Sequence, residues 1–298
     1  MDPVFGNPMK TTHAPTLRSI VFALAATIAL SSLVTGCASN RHITPQPVAT
    51  TRVPDAAADQ RIAESALEAG DTQLAMTLFA KLLKADPQSK TAQLGLGDAI
   101  YQTGDLARAG VLYAGVAAAA PDDPRAQLGL ARVALRERRL DEAVARYRSL
   151  VAANPDNVVA AEGLGAALDL QGKHSQAQAV YRTALQRHPE VQGLKTNLGL
   201  SLILSNEPRE GANVLLDIAG LPDAAPQARE NLALAYGLLG NSEAAKRILI
   251  ADMPADSALD NLQFYLSLRQ QLAAQGAGGA TRAPAVRSSG ISTSGALR

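Results

Sequence analysis

Cysteine and histidine are the residue types in this chain that most readily act as nucleophiles, bases or metal ligands. The sequence has one cysteine, Cys37, and four histidines, His13, His42, His174 and His188. Nucleophilic catalysis needs a nucleophile beside a base, and zinc sites use ligands paired at short spacing. The histidines show no metal-like pairing, and we expect His174, in a predicted turn, and His188, before a proline, to be solvated. We therefore predict no catalytic residue, no metal site and no enzyme activity.

Cys37 follows a segment with the features of an export signal. Lys10 and Arg18 precede the uncharged run "IVFALAATIALSSLV", which covers residues 20–34. This run is shorter than the roughly 20 residues that a helix needs to cross a membrane, and small residues follow it. A signal peptide over residues 1–36 is the favoured interpretation. A secretory signal of another kind, an internal helix, a wrongly assigned start site and a buried core cysteine are the alternatives.

The tetrapeptide "VTGC" at residues 34–37 resembles the lipobox of bacterial lipoproteins. That resemblance implies a diacylglycerol on the Cys37 sulfur, cleavage directly before Cys37, and a further acyl chain such as palmitate on the new amino group. Ala38 and Ser39 follow instead of the aspartate linked to inner-membrane retention, so the resemblance implies the outer membrane and a periplasm-facing protein. Each buried methylene contributes about 0.8 kcal/mol, so several chains anchor a protein stably.

The overall composition favours a helical protein without affinity for nucleic acid. The 28 basic and 27 acidic residues give a net charge of +1, which provides no long-range attraction for a polyanion. Hydrophobic residues make up 47% of the chain but aromatic residues only 3%. The excess is alanine and leucine, which are good helix formers.

The two flanks of the chain differ from its middle. Residues 37–55 are polar and contain prolines, and we interpret them as a flexible tether after the acylated cysteine. Residues 276–298 are rich in Gly, Ser, Ala and Thr and are predicted to be disordered. A basic arm for an anionic partner is the alternative for this tail, which carries three arginines and no acidic residue.

The middle of the chain has a period of 34 residues. The same offset recurs in three residue classes: Pro87, Pro121, Pro155 and Pro189; Ala75, Ala109, Ala143 and Ala177; and Phe79, Tyr113, Tyr147 and Tyr181. Gly70, Gly104 and Gly172 stand seventeen residues before their prolines, where one helix must end and another begin. The period therefore predicts stacked helix-turn-helix units.

This pattern resembles the tetratricopeptide repeat, which implies an all-α, right-handed superhelical solenoid. About six repeats are expected within residues 56–275, beginning near residues 56, 90, 124, 158, 192 and 226, with a capping helix at 260–275. Asn206 replaces the turn glycine of the fifth repeat. The recurring aromatic residues and the small residues Gly97, Gly165 and Gly199 are interpreted as packing residues between helices.

In this family the first helices line a groove that binds partners. The resemblance projects these residues toward it: Glu64, Glu68, Leu94, Asp98, Tyr101, Gln102, Leu128, Arg132, Leu135, Arg136, Glu162, Asp169, Leu200 and Leu234. Asp98, Tyr101 and Gln102 are expected on one helical face. Arg132 and Arg136, at i and i+4, are expected to project together as donors for a carboxylate, with a solvated charged face as the alternative.

Among repeat lipoproteins, the chain most resembles the TadD-type proteins of tight-adherence (Flp) pilus assembly. The resemblance rests on the lipobox, the tether, the repeats and the terminal segment "NLQFYLSLRQQL". It implies a non-enzymatic scaffold whose partner is a secretin or a pilus assembly component. A pilotin-like or cell-wall-enzyme adaptor is the first alternative, and an envelope hydrolase or a cytoplasmic repeat chaperone are others.

Overall fold

The computed structural model describes residues 55–277, and this part of the chain contains thirteen helices and no strand. The helices are α1 (Ala56–Glu68), α2 (Thr72–Ala85), α3 (Lys90–Thr103), α4 (Leu106–Ala119), α5 (Pro124–Arg136), α6 (Leu140–Ala153), α7 (Val158–Leu170), α8 (His174–Arg187), α9 (Gln192–Leu204), α10 (Pro208–Ala219), α11 (Pro226–Leu239), α12 (Ser242–Asp252) and α13 (Ala255–Ala277). The predicted signal peptide, Cys37 with its acyl chains, the tether before Asp55 and the tail from residue 278 lie outside the described residues.

The first twelve helices form six consecutive pairs. Each helix packs against the next one in the sequence, and the first helices of neighbouring pairs also contact each other, as α3 does with α5 and α5 with α7. Among the described helices, the second helices of neighbouring pairs make no such contact. The stack is therefore tighter along its first helices. The predicted all-α solenoid of about six repeats with a terminal capping helix is confirmed.

The turn inside each pair uses a left-handed backbone residue at a fixed position. Glycine occupies it in four pairs, with φ values of 79° at Gly70, 90° at Gly104, 73° at Gly172 and 84° at Gly240. The next backbone N–H after the turn residue bonds back five residues at most of these turns, as Asp71 N does to Ala66 O. This is the Schellman ending, which satisfies the last carbonyl groups of the first helix.

Prolines separate one pair from the next. The residue before each recurring proline closes a second helix in an extended or near-extended conformation; φ is −134° at Asp86 and −141° at Asn154. Proline disfavours helical geometry in the residue before it. A new helix then begins at a capped position, as where Asp123 accepts hydrogen bonds from the backbone N–H groups of Arg125 and Ala126.

The core lies between the helices of each pair and between pairs. The recurring aromatic residues Phe79, Tyr113, Tyr147 and Tyr181 are all buried, which confirms their packing role. Glycines make room for their rings: a Cβ at Gly97 would lie 2.8 Å from Tyr113 Cε1. Gly165 similarly faces Tyr181 and Gly199 faces Leu215. Helix backbones can approach closely because these positions lack a side chain.

The last helix is longer than the predicted cap at 260–275. It begins at Ala255, directly after Pro254, whose carbonyl accepts the Ala258 N–H, and it continues to Ala277. Proline is favourable at a helix start, and alanine propagates a helix well. Gly276 and Ala277, predicted to open the disordered tail, thus belong to α13. The helix packs on α11 and α12, with Tyr265 against Gly237.

Candidate functional site

The exposed and half-buried side chains of α1, α3, α5, α7, α9 and α11 form a continuous surface, which we call the first-helix face. Two columns of equivalent positions, 34 residues apart, run along it. The first column is Glu64, Asp98, Arg132, Ala166 and Leu200 and ends at the buried Leu234, and the second is Glu68, Gln102, Arg136, Leu170, Leu204 and Leu238. Both columns change from polar to apolar residues after α5.

Asp98, on α3, receives polar contacts from two other helices, α4 and α5. Its Oδ1 accepts a hydrogen bond from the Tyr113 hydroxyl at 2.8 Å and lies 3.8 Å from Arg132 Nη1. Its Oδ2 accepts a hydrogen bond from Arg125 Nη2 at 3.2 Å. Burial and the neighbouring Asp98 carboxylate both raise the pKa of Tyr113, so that hydroxyl remains a donor. Asp98 thus connects α3, α4 and α5 at the first-helix face.

Tyr101 does not project from the face as predicted, because its side chain is buried with 3% exposure. The guanidinium carbons of Arg132 and Arg136 lie 4.7 Å and 4.9 Å from the centre of its ring. Arg136 Nη1 also donates to the Tyr101 carbonyl oxygen at 3.1 Å, close to the end of α3. A cation over an aromatic face contributes about 0.5–2 kcal/mol. The two arginines therefore hold α5 against α3, and their role as donors for a carboxylate stays a prediction.

Asp98, Tyr101, Arg125, Arg132 and Arg136 form the arginine cluster of the first-helix face. Three of its members are positive and one is negative. The Arg125 side chain is 54% exposed, whereas that of Arg132 is 14% exposed. Arg125 was absent from the predicted set, although it precedes Arg132 by seven residues, two helical turns, and so lies on the same side of α5. The cluster presents a surplus of positive charge next to α7.

Glu162 lies half-buried on α7, against the start of α9. A Cβ at Gly193 would overlap the Glu162 carboxyl group, the flexible end of that side chain, which would have to shift. Burial raises the pKa of Glu162 to about 7. Its carboxyl group therefore changes charge near neutral pH, since desolvation disfavours the ionised form.

Asp169 was predicted as a partner-binding residue, but the structure engages its carboxylate within the protein. Ser201 Oγ donates to Oδ1 at 2.6 Å and the Tyr181 hydroxyl donates to Oδ2 at 3.1 Å. His174 Nδ1 lies 2.8 Å from Oδ1, so His174 is half-buried and hydrogen-bonded and the expectation of a solvated histidine is wrong. Burial raises the pKa of Asp169 despite these contacts. This network joins α7, α8 and α9.

The other predicted groove residues divide by burial. Gln102 and Glu68 are exposed, while Glu64, Leu128 and Leu200 are half-buried. Leu94, Leu135 and Leu234 are buried in the core, so their predicted surface role is wrong. These three leucines were assigned to the surface by the same repeat alignment as the exposed residues. Their apolar side chains instead pack in contacts between helix pairs, which removes them from water.

Within residues 55–277 there is no group of three or more metal-ligating side chains. None of the described helices is both long and apolar enough to span a membrane. His188, the other described histidine, is half-buried near Asp156.

Both the repeat pattern and the fold of the chain are similar to those of known proteins. The sequence profile of the tetratricopeptide repeat matches residues 66–133, 101–168 and 134–198. A thermophilic tetratricopeptide repeat protein of Thermus thermophilus is 25% identical, with a TM-score of 0.51 over 60% of this chain and 98% of that chain. A tetratricopeptide repeat protein of Parabacteroides merdae is 10% identical, with a TM-score of 0.58 over 71% of this chain and 84% of that chain. A search of curated proteins found no match.

Proposed function

We propose that this chain, whose residues 66–198 match the tetratricopeptide repeat, is a non-enzymatic scaffold that binds a protein partner on its first-helix face. Proteins of this fold are generally interaction scaffolds without catalytic activity. The observation that carries the proposal is the pairing of the arginine cluster with exposed leucines on one continuous face. Exposed apolar side chains beside charged ones are typical of protein interaction sites.

The proposed location is the outer membrane, with the repeats facing the periplasm. The lipobox-like residues 34–37 support acylation at Cys37, and residues 37–55 support a flexible tether. A flexible chain of this length reaches roughly 20–25 Å on average. The repeats would then bind a partner at some distance from the membrane. The protein would contact the membrane through the lipid anchor alone.

The proposed context is the assembly of a Flp-type pilus or a related secretion machine, with a secretin or a pilus component as the partner. This rests on the resemblance to TadD-type lipoproteins. A pilotin-like or cell-wall-enzyme adaptor would use the same face and the same anchor. Co-purification of crosslinked complexes from membranes, followed by identification of the partner, distinguishes these two contexts.

Fractionation of cells that produce wild type or Cys37→Ser tests the anchor. Wild type is expected in the outer-membrane fraction and labelled by a palmitate analogue. Cys37→Ser is expected to be absent from that fraction and to carry no label. A wild-type protein that is soluble and unlabelled would contradict the lipoprotein proposal; a periplasmic location would then favour a secretory signal of another kind, and a cytoplasmic location the cytoplasmic chaperone.

Charge reversal within the arginine cluster tests the docking face. Charge reversal at Arg132 and Arg136 is expected to weaken capture, but these side chains also pack on Tyr101, so Arg125→Glu is the cleaner change. Arg108→Glu on α4 is the matched control, because that side chain is 71% exposed on a second helix. Arg125→Glu is expected to lose partner capture at unchanged helical content. Equal capture by both variants would place the interface elsewhere.

A further inference from the structure

The apolar half of the first-helix face contains a row of leucines at one repeat position. Leu170 ends α7, Leu204 ends α9 and Leu238 lies near the end of α11; we call these three residues the leucine ladder. Leu170 is 39% exposed, Leu204 is 50% exposed and Leu238 is half-buried. The equivalent residues of the first three pairs are Glu68, Gln102 and Arg136, so the apolar row is confined to one half of the face.

The packing of the helices aligns the ladder. Helix α7 contacts α9, and α9 contacts α11, so equivalent positions on them are neighbours. Packed helices lie about 8–10 Å apart, and a chain in the extended polyproline II conformation advances about 3.1 Å per residue, with every third side chain on the same side. A segment that crosses the face at right angles to the first helices therefore passes one helix about every three residues. A side chain at each such step can contact one leucine of the ladder.

The charged half of the first-helix face ends at α5, the first helix of the pair that precedes the leucine ladder. Helix α5, which carries Arg125, Arg132 and Arg136, contacts α7, which carries Leu170. Asp98 is the negative member of the arginine cluster, and Arg125 is more than half exposed beside it. Charge complementarity therefore favours carboxylates over α5, immediately followed by apolar side chains over α7 and α9.

We infer that the first-helix face binds an extended partner segment that has acidic residues at one end, over the arginine cluster, and apolar residues about every third position at the other end, over the leucine ladder. This inference rests on the proposed scaffold function and specifies the partner's chemistry. The acidic end provides attraction and register, and the apolar end buries leucine surface that solvent now covers.

Fluorescence anisotropy with four synthetic peptides tests this chemistry on the full chain in detergent. The first peptide has about nine residues, three acidic ones followed by a stretch with leucine at every third position. The second has the same sequence in reverse, because either chain direction satisfies the geometry. The third replaces the acidic residues with glutamine and the fourth replaces the leucines with serine. We expect the first or the second to bind, and the third and fourth to bind at least about tenfold more weakly.

Two pairs of variants locate the bound peptide. Leu204→Asp is compared with Leu216→Asp on α10, because the two leucines are 50% and 51% exposed. Arg125→Glu is compared with Arg108→Glu on α4. Leu204→Asp and Arg125→Glu are expected to weaken binding at least about tenfold, whereas the controls change it less than about twofold. The effect of Leu204→Asp is expected to vanish with the leucine-free peptide, and that of Arg125→Glu with the glutamine peptide.

Three outcomes would overturn the inference. Equal binding of the leucine-free peptide and the leucine-containing peptide would show that the site recognises charge alone. A concentration-dependent dimer that Leu204→Asp abolishes would make a second copy the occupant. A native partner that crosslinks to the first-helix face through a segment without this pattern would refute the inference and keep the proposed scaffold. Crosslinks confined to the second helices would instead refute the proposed docking face.

Discussion

Arg138 and Asn206 occupy the turn position that is glycine in the other four pairs, and both have a left-handed backbone, with φ of 63° and 67°. A left-handed conformation costs a residue with a side chain about 1–2 kcal/mol. Asparagine tolerates this region better than most residues because its short amide can bond to nearby backbone. The strain is therefore larger at Arg138, although both residues close their turns in the same way.

We predict that Arg138→Gly raises the free energy of unfolding by about 0.5–1 kcal/mol, because relief of strain exceeds the added entropy of the unfolded chain. Asn206→Gly is expected to change it by less than about 0.5 kcal/mol. Urea unfolding of both variants measures the difference. A larger gain at Asn206 than at Arg138 would contradict the strain argument.

We predict that the free energy of unfolding depends on pH because of the carboxyl group of Glu162. Its pKa is raised by burial to about 7, above the usual value of 4.5, so the folded protein binds more protons than the unfolded chain between these two values. The wild type is therefore expected to lose stability as pH rises through this window and then to remain level. Glu162→Gln removes the buried charge, and we expect it to be about 1–2 kcal/mol more stable than wild type at pH 8, since the carboxyl is partly hydrated.

Thermal and urea unfolding at pH 4 and pH 8 checks this prediction. The advantage of Glu162→Gln is expected to disappear at pH 4, where the wild-type carboxyl is protonated in both states. The same change at the exposed Glu68 is the control. A pH-independent difference between wild type and Glu162→Gln would mean that the amide acts through packing and not through charge.

At the scale of helices, contacts between aromatic rings and glycines set how closely the pairs approach. Tyr147 lies against Gly163 of the next pair, and a Cβ at Gly163 would come within 3.0 Å of the ring, which real Cβ atoms do not do. In contrast, a Cβ at Gly110, inside α4, would meet its nearest neighbour, Val133 Cγ1, at an ordinary 3.6 Å. Replacement of glycine by alanine is therefore expected to have opposite effects on stability at Gly163 and Gly110.

Gly163→Ala is predicted to destabilise the protein by about 1–3 kcal/mol, because overpacking outweighs the gain in helix propensity. Gly110→Ala is predicted to stabilise it by up to about 1 kcal/mol. Urea unfolding monitored by circular dichroism measures both. Stabilisation by Gly163→Ala would show that the ring can move aside at little cost.

The period of 34 residues predicted the fold well because it records the requirements of the first four pairs: a turn residue, close-packing small residues, a buried aromatic ring and a proline after the pair. The site was less predictable, because it depends on residues that depart from the repeat. Tyr101 and Asp169 occupy the same repeat position, yet Tyr101 packs under two arginines and Asp169 bonds to Ser201 and Tyr181. Their partners lie on other helices, so spacing within one helix could not identify them.

The array is a linear stack in which each pair contacts only its neighbours, so its stability is divided among local units. Helix α13 covers α11 and α12 through Tyr265, which is 8% exposed. We predict that Tyr265→Ala lowers the local stability of α11 to α13 by about 3 kcal/mol and leaves α3 to α7 unchanged. Hydrogen exchange measured by mass spectrometry resolves the two regions, and uniform loss of protection would indicate a single cooperative unit.

Site-specific photo-crosslinking in the membrane tests most directly whether the first-helix face is the docking surface. A photoreactive residue at the exposed Gln102 of α3 is compared with one at Val111 of α4, a second-helix residue that is 72% exposed. We predict that Gln102 captures one defined segment of a partner, that Val111 does not, and that Arg125→Glu abolishes the capture. Capture from Val111 but not from Gln102, or capture unaffected by Arg125→Glu, would contradict a scaffold that binds through its first helices.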